Sequence, residues 1–156
     1  MAIIECKTFS PKDIGIYEEQ ITYLMEVVLH DNITQNYPNN LAKQYVQKMP
    51  GFIQDGSAII VGGFLENKLI GFSWAYEMDI FGEKRIHIDM ICVDPLFRRK
   101  GVAHNLVQKQ IQEARKRKIA IIEAMVTRKN ESSYNWFHSM GFEDERVKVR
   151  MEINND

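Results

Sequence analysis

Three apolar runs set close together constrain this chain more than any other feature. Ser57 to Leu65, Leu69 to Met78 and Arg85 to Val93 are dominated by Ile, Val and aromatic residues. Glu66-Asn67-Lys68 separates the first two, and Asp79 to Lys84, which contains Gly82, separates the last two. β-branched and aromatic side chains favour strands, and connections this short leave no room for a crossover. The runs therefore predict an antiparallel meander.

The pattern changes after Val93, where Asp94-Pro95 ends the third run. Within Gly101 to Lys118, Val102, Leu106, Val107, Gln110, Ile111 and Ala114 recur at helical spacing. Ile119 to Thr127 reads as a strand, Glu131 to Met140 as a helix stopped by Gly141, and Phe142 to Ile153 as one strand or a short hairpin. A strand–helix–strand unit closes by a right-handed crossover and sets its strands parallel. Upstream, Ile3 to Phe9 predicts a strand, and Ser10-Pro11-Lys12-Asp13 a helix start. Ile14, Tyr17, Ile21, Leu24, Met25 and Val28 predict one amphipathic helix ending near His30. Asp31 to Asn40 reads as a loop, and Leu41 to Met49 as a short helix broken by Pro50-Gly51. The fold class that follows is α/β: a mixed antiparallel and parallel central sheet with helices on both faces, in one domain over residues 1–156.

Charge and cysteine usage narrow the function classes. Lys and Arg number 20 against 21 Asp and Glu, so no global basic field exists to hold nucleic acid. The longest apolar run, Ala58 to Leu65, is far too short to span a membrane. Met1 to Lys7 carries Glu5 and Lys7 and lacks the apolar stretch of a secretory signal. Cys6 and Cys92 form no CxxC pair, which argues against a disulfide framework or a Cys-rich metal site. The expectation is a cytoplasmic protein without a metal, a nucleic-acid partner or a membrane anchor.

Val93-Asp94-Pro95-Leu96-Phe97-Arg98-Arg99-Lys100-Gly101-Val102-Ala103 is the most informative segment. A strand ends, a basic loop follows, and Gly101 opens a helix with the small Ala103 two positions on. First-turn amides of a helix have no internal partner, and with the helix dipole they attract an anion. Arg98, Arg99 and Lys100 add positive charge at the same place, so a pyrophosphate suits it. An ordinary solvated basic loop is the competing reading. No GK[ST] and no GxGxxG is present, so neither a Walker A loop nor a dinucleotide fingerprint is intended.

Arg98-x-x-Gly101-x-Ala103 resembles the Q/R-x-x-G-x-G/A motif of the GCN5-related N-acetyltransferases, and Val93-Asp94-Pro95 resembles the usual end of that family's fourth strand. Asn130-Glu-Ser-Ser133-Tyr-Asn-Trp136-Phe137, running on to Met140-Gly141-Phe142, is similar to its N-x-x-A-x-x-L-Y…GF segment. The order of elements is similar over nearly the whole chain. The resemblance implies an enzyme that transfers an acetyl group from acetyl-CoA to a primary amine by direct attack in a ternary complex. It implies that Arg98, Arg99, Lys100, Gly101, Val102, Ala103 and His104 bind the pyrophosphate, mainly through backbone N–H groups. It places the pantetheine along Ile91, Cys92 and Val93, like an added strand. Asn130, Ser133, Tyr134 and Phe137 would line the other wall.

An attacking amine must be neutral, so a base is needed, directly or through water. On the strand Arg85 to Val93, alternation sends His87 and Asp89 toward the same side as Ile91 and Val93. Histidine as a residue type suits proton transfer near neutrality, and the resemblance implies that His87 falls where several family members carry a base, with Asp89 assisting. The competing reading is a polar pair on an outer sheet face. Glu77, Asp79 and then Glu123 are the next base candidates. Phe137 stands where many members have a tyrosine that protonates the leaving thiolate, so the general acid stays open, with Tyr134 one turn earlier as the substitute. The residues after Phe142 are fewer than two full strands need, so the last strand is short or a partner chain completes the sheet, as in a homodimer. His30, Tyr37, Trp74, Tyr76 and Glu77 are acceptor-site candidates, since acidic and aromatic groups suit a cationic amine. The acceptor stays open between small molecules and peptides. A non-catalytic acyl-CoA-binding or regulatory module on the same fold is the alternative.

Overall fold

The computed structural model describes residues 3–32 and 37–154. It divides into two compact units, Met1–Met125 and Val126–Asp156. The first holds a five-stranded sheet in the order β1-β2-β3-β4-β5: β1 (Glu5–Thr8), β2 (Ala58–Leu65), β3 (Lys68–Ile80), β4 (Glu83–Val93) and β5 (Ile121–Ala124). The first four strands pair antiparallel, and β4 pairs with β5 in parallel. The meander and the parallel crossover thus stand as the sequence predicts.

Helices cover both faces of the sheet. On one side, α1 (Pro11–Ile16), α2 (Glu18–Asn32) and α3 (Leu41–Gln54) bury Ile14, Ile21, Leu24, Met25, Val46 and Met49 against Ile60, Phe72, Trp74 and Cys92. On the other, α4 (Val102–Lys116) lies so close that a Cβ on Gly71 would sit 2.9 Å from Val102 Cγ1 and 3.0 Å from the Cys92 carbonyl. Gly71 is therefore what lets the start of α4 press onto the sheet. Farther along α4, the buried Gln110 donates to the Ile59 carbonyl (3.1 Å) and to Ser73 Oγ (2.9 Å).

Several details depart from the sequence reading. The single helix expected from Ile14 to His30 is broken at Tyr17, whose ring stacks 5.5 Å from Phe9 and meets Phe64 edge-on at 5.1 Å. α3 continues through Pro50 and Gly51 to Gln54. Proline costs that helix one amide bond, but the buried face of Ala42, Val46 and Met49 holds it to the core. β5 is shorter than Ile119 to Thr127: it starts late because the Ile119 amide turns back to the Ala114 carbonyl at the end of α4, and it ends at Ala124. The expected loop from Asp31 to Asn40 begins later, since Asp31 and Asn32 belong to α2, and residues 33–36 lie outside the described residues.

In the second unit, α5 (Glu131–Ser139) is capped by Asn130, whose Oδ1 accepts from the Ser133 amide at 3.1 Å. Phe137 packs edge-on against Phe142 and Trp136. The strand expected from Phe142 to Ile153 does not form among the described residues. A strand needs a hydrogen-bonded neighbour, and Val147, Val149, Met151 and Ile153 instead stand exposed.

Candidate active site

Two features of β4 shape the candidate site. The first is a bulge. Trp74 pairs with Met90 and Ala75 with Ile88, which leaves Asp89 as the extra residue. The parity of the strand therefore reverses at Asp89. Above the bulge, Met90 and Cys92 face α1–α3 with Trp74 and Phe72. Below it, His87 pairs with Tyr76, so it shares that face with Trp74, Met90 and Cys92, not with Ile91 and Val93 as plain alternation predicts. The second feature is where β5 stops. Its pairing with β4 covers Arg85 to Ile88 only, so the β5-side edge of residues 89–93 carries no strand partner among the described residues.

Directly after that open edge comes the loop. Asp94 is buried, accepts from the Leu96 amide at 3.0 Å and donates its own amide to the Ile70 carbonyl at 2.8 Å, which pins the strand end. A single 3-10 turn, Pro95–Phe97, follows. Arg99 (φ +61°) and Gly101 (φ +82°) both adopt left-handed backbone, and Gly101 caps α4 without a side chain. The first-turn amides of Val102 and Ala103 have no carbonyl within the helix to bond. Arg98, Arg99 and Lys100 are exposed around them. Arg98 meets Asp31 at 3.1 Å, and Lys100 lies 5.6 Å from the centre of the Phe97 ring. Val102 is buried against the sheet, Ala103 is half-buried and His104 exposed. Open backbone amides, a left-handed glycine and three cations are a donor set suited to a diphosphate. An unpaired strand edge beside them suits an amide-bearing arm. The residues present therefore fit coenzyme A.

His87 is 4% exposed. Its Nδ1 lies 2.9 Å from Glu123 Oε2, and its ring lies 5.1 Å from that of Tyr76. Arg85, also buried, reaches Glu123 Oε1 at 3.2 Å and bonds Glu83. Burial raises the Tyr76 hydroxyl above its ordinary pKa, and the carboxylates of Asp89 and Glu123 raise it further. Asp89 itself is exposed at the bulge. The Cys92 thiol is pushed far up by burial, with Asp89 adding to it, which leaves a protonated, inert side chain.

The acceptor-side candidates separate. Trp74 and Tyr76 share the His87 face, and Trp74 has the half-exposed Tyr45 and Phe52 rings beside it at 6.3 and 6.2 Å. The sequence reading places Tyr45 on that helix as a packing residue only, and it ends the helix before Phe52, so neither aromatic stands among its acceptor candidates. Glu77 points to the opposite face and pairs with Arg117 at 2.7 Å. His30 is exposed near the end of α2, and Tyr37 packs against the main core. Asn130, Ser133, Tyr134 and Phe137 all lie in the second unit. There the Tyr134 hydroxyl donates to Asp144 Oδ2 at 2.7 Å, a bond that raises its pKa. Among the described residues no cluster of three His, Cys, Asp or Glu could hold a metal ion, and no helix is long and apolar enough to cross a membrane.

The sequence model of the acetyltransferase (GNAT) family matches residues 17–142. Among curated proteins none matches the chain. Solved structures do. The aminoglycoside N-acetyltransferase AAC(6')-Iy in complex with CoA superposes with a TM-score of 0.78 at 16% identity, covering 97% of this chain and 96% of that one. An aminoglycoside acetyltransferase from an uncultured soil metagenomic sample, in complex with sisomicin, gives 0.75 at 14% identity, with 97% of each chain covered. The ribosomal-protein-alanine N-acetyltransferase of Brucella melitensis biovar Abortus 2308 gives 0.72 at 16%, covering 97% of this chain and all (100%) of that one. The chain belongs to the GNAT acetyltransferase family, and its class of enzyme is that family's: an acyltransferase.

Proposed function

We propose that this GNAT acetyltransferase is a single-domain cytoplasmic enzyme that moves an acetyl group from acetyl-CoA to a primary amine, with His87 as the base. The observation that carries the reading is the open edge of β4 at residues 89–93, running directly into the Gly101 helix start. Bound there, acetyl-CoA supplies an activated acyl carbon, whose bond to sulfur is exchanged for a bond to the acceptor nitrogen. The chain's own residues do the rest. Backbone amides from Arg98 to His104 hold the diphosphate, and Ile91, Cys92 and Val93 offer main-chain groups to the pantetheine. Asn130, Ser133, Tyr134 and Phe137 are the further cofactor contacts. His87 takes the proton that the amine must lose, directly or through one water. Asp89, exposed beside it, passes that proton to solvent. Trp74 and Tyr76 give a cationic amine an aromatic approach, with His30 and Tyr37 as the remaining acceptor candidates.

Thiol release from acetyl-CoA against a panel of amines, read beside calorimetry with CoA alone, tests this. Turnover with at least one amine and micromolar CoA binding are expected. CoA that fails to bind at millimolar concentration overturns the reading. Tight CoA binding with no turnover across the panel favours a non-catalytic acyl-CoA-binding or regulatory module instead.

A further inference from the structure

We infer that Glu123 is a positioning residue for His87, and that Arg85 in turn holds Glu123, so that three side chains from two parallel strands present one imidazole nitrogen as a base. This inference rests on the reading of His87 as the base. His87 and Glu123 are register partners in the parallel β4–β5 pair, so their side chains leave the sheet on one face. Arg85 is two residues before His87 and shares that face. The carboxylate is thus gripped from two sides, by Arg85 on Oε1 at 3.2 Å and by His87 Nδ1 on Oε2 at 2.9 Å.

An ionised carboxylate only accepts hydrogen bonds. Nδ1 must therefore carry the hydrogen, and in the neutral ring the lone pair is left on Nε2. The same carboxylate stabilises the imidazolium that forms when Nε2 takes a proton. Arg85 is 5% exposed and has Glu83 as a second partner, so its guanidinium is fixed in place with its charge countered by carboxylates. The other groups around the ring are Tyr76 on β3 and the exposed Asp89 at the bulge. The helices packed over that face contribute apolar inward residues: Ile21, Leu24, Met25 and Leu29 from α2, and Ala42, Val46 and Met49 from α3. Glu123 is thus the one carboxylate in direct hydrogen-bonding contact with His87 among the described residues.

Glu123→Gln in the full chain is the test, because the near-isosteric amide keeps the volume and leaves Arg85 its bond to Glu83. Without the carboxylate, the ascending limb of the kcat–pH profile moves down by about one unit. At neutral pH kcat falls by about tenfold or more, while the KM for acetyl-CoA stays within about twofold of wild type. Because both residues act through one proton, His87→Ala with Glu123→Gln is no slower than His87→Ala alone. Imidazole nitrogen NMR gives a readout that needs no activity: the Nδ1–H tautomer dominates in the wild-type protein and yields to a mixture in Glu123→Gln. A purely structural role would lower Tm and leave the pH profile in place. An unchanged profile in Glu123→Gln, multiplying losses in the double variant, or an Nε2–H tautomer in the wild type each overturns the inference. The two readings fail separately. If His87→Ala keeps wild-type kcat, the base assignment itself falls. If His87→Ala is slow and Glu123→Gln is not, only the positioning role falls.

Discussion

Asp13 shows how much one carboxylate can organise. It accepts from the Ser10 amide at 2.8 Å and from Lys7 Nζ at 2.9 Å, while Ser10 Oγ accepts from the Asp13 amide at 3.3 Å. This capping box fixes α1 directly after β1. Burial pushes the Asp13 pKa up, but the bonds from Lys7 and Ser10 outweigh it and hold the pKa below the ordinary value. A depressed folded pKa gives stability that is present above the unfolded value, about 3.9, and is lost as pH falls through the folded one. Asp13→Ala should therefore cost about 1 kcal/mol at pH 7, and the gap should close in acid. Urea unfolding of both proteins at pH 7 and below pH 3 checks this, and a gap that persists in acid would refute it. His87 is the second residue at which a local rule decides. Its identity and its place on β4 were readable in the sequence, but its direction was not. Alternation counted from Val93 is correct only as far as Asp89, and nothing in Ile88-Asp89-Met90 signals a bulge. The partnership with Glu123 is non-local, across 36 residues, so no spacing rule could have revealed it. In kinetics, His87→Ala should lower kcat by about 10²–10⁴-fold with acetyl-CoA affinity retained. Tyr134→Phe should stay within about threefold of wild type, because a thiolate leaving group needs little help near neutral pH. A larger loss for Tyr134→Phe would make that tyrosine the acid.

Elements were easier to read than directions, for a physical reason. The meander, the crossover helix and α5 each announce themselves by periodicity, which depends on local geometry alone. The reading failed where tertiary contacts overrule a local signal. Pro50 ought to end α3, yet the buried face of that helix outweighs one missing amide bond. The tail after Phe142 has a strand's alternation, yet no neighbouring ladder is formed there among the described residues. Glycine marks the elements that set the site, and two substitutions separate its two uses. Gly71→Ala puts a methyl group within 2.9 Å of Val102 and 3.0 Å of the Cys92 carbonyl. It should destabilise by about 1–3 kcal/mol and weaken CoA binding as the start of α4 is pushed from the sheet. A Cβ on Gly101 meets no atom within 4 Å, but its backbone sits at φ +82°. Gly101→Ala should therefore cost only about 1–2 kcal/mol of backbone strain, with its larger effect on CoA affinity. Denaturant midpoints and CoA calorimetry on the two variants test the distinction. Equal affinity losses that simply track stability would refute it.

At the scale of the whole molecule, charge is nearly balanced, with a net value of -1. Attraction for a multiply anionic cofactor must then come from the local triad of Arg98, Arg99 and Lys100, not from a global field. Such exposed charges act over a Debye length, about 10 Å at 0.1 M salt and about 3 Å at 1 M, so their share of binding is screened while backbone hydrogen bonds persist. The KM for acetyl-CoA should accordingly rise by about tenfold between low and high salt, with kcat little changed. Replacing all three cations by Gln should give a KM that is flat with salt and close to the wild-type value at high salt. Asp31 supplies a control of opposite sign. It draws Arg98 to 3.1 Å across an exposed pair, so Asp31→Asn should free that guanidinium and lower the low-salt KM by about twofold. Initial rates at graded ionic strength on the three proteins decide the matter. A wild-type KM indifferent to salt would mean that the amides at the start of α4 hold the diphosphate unaided, and that the basic loop is only a solvated surface.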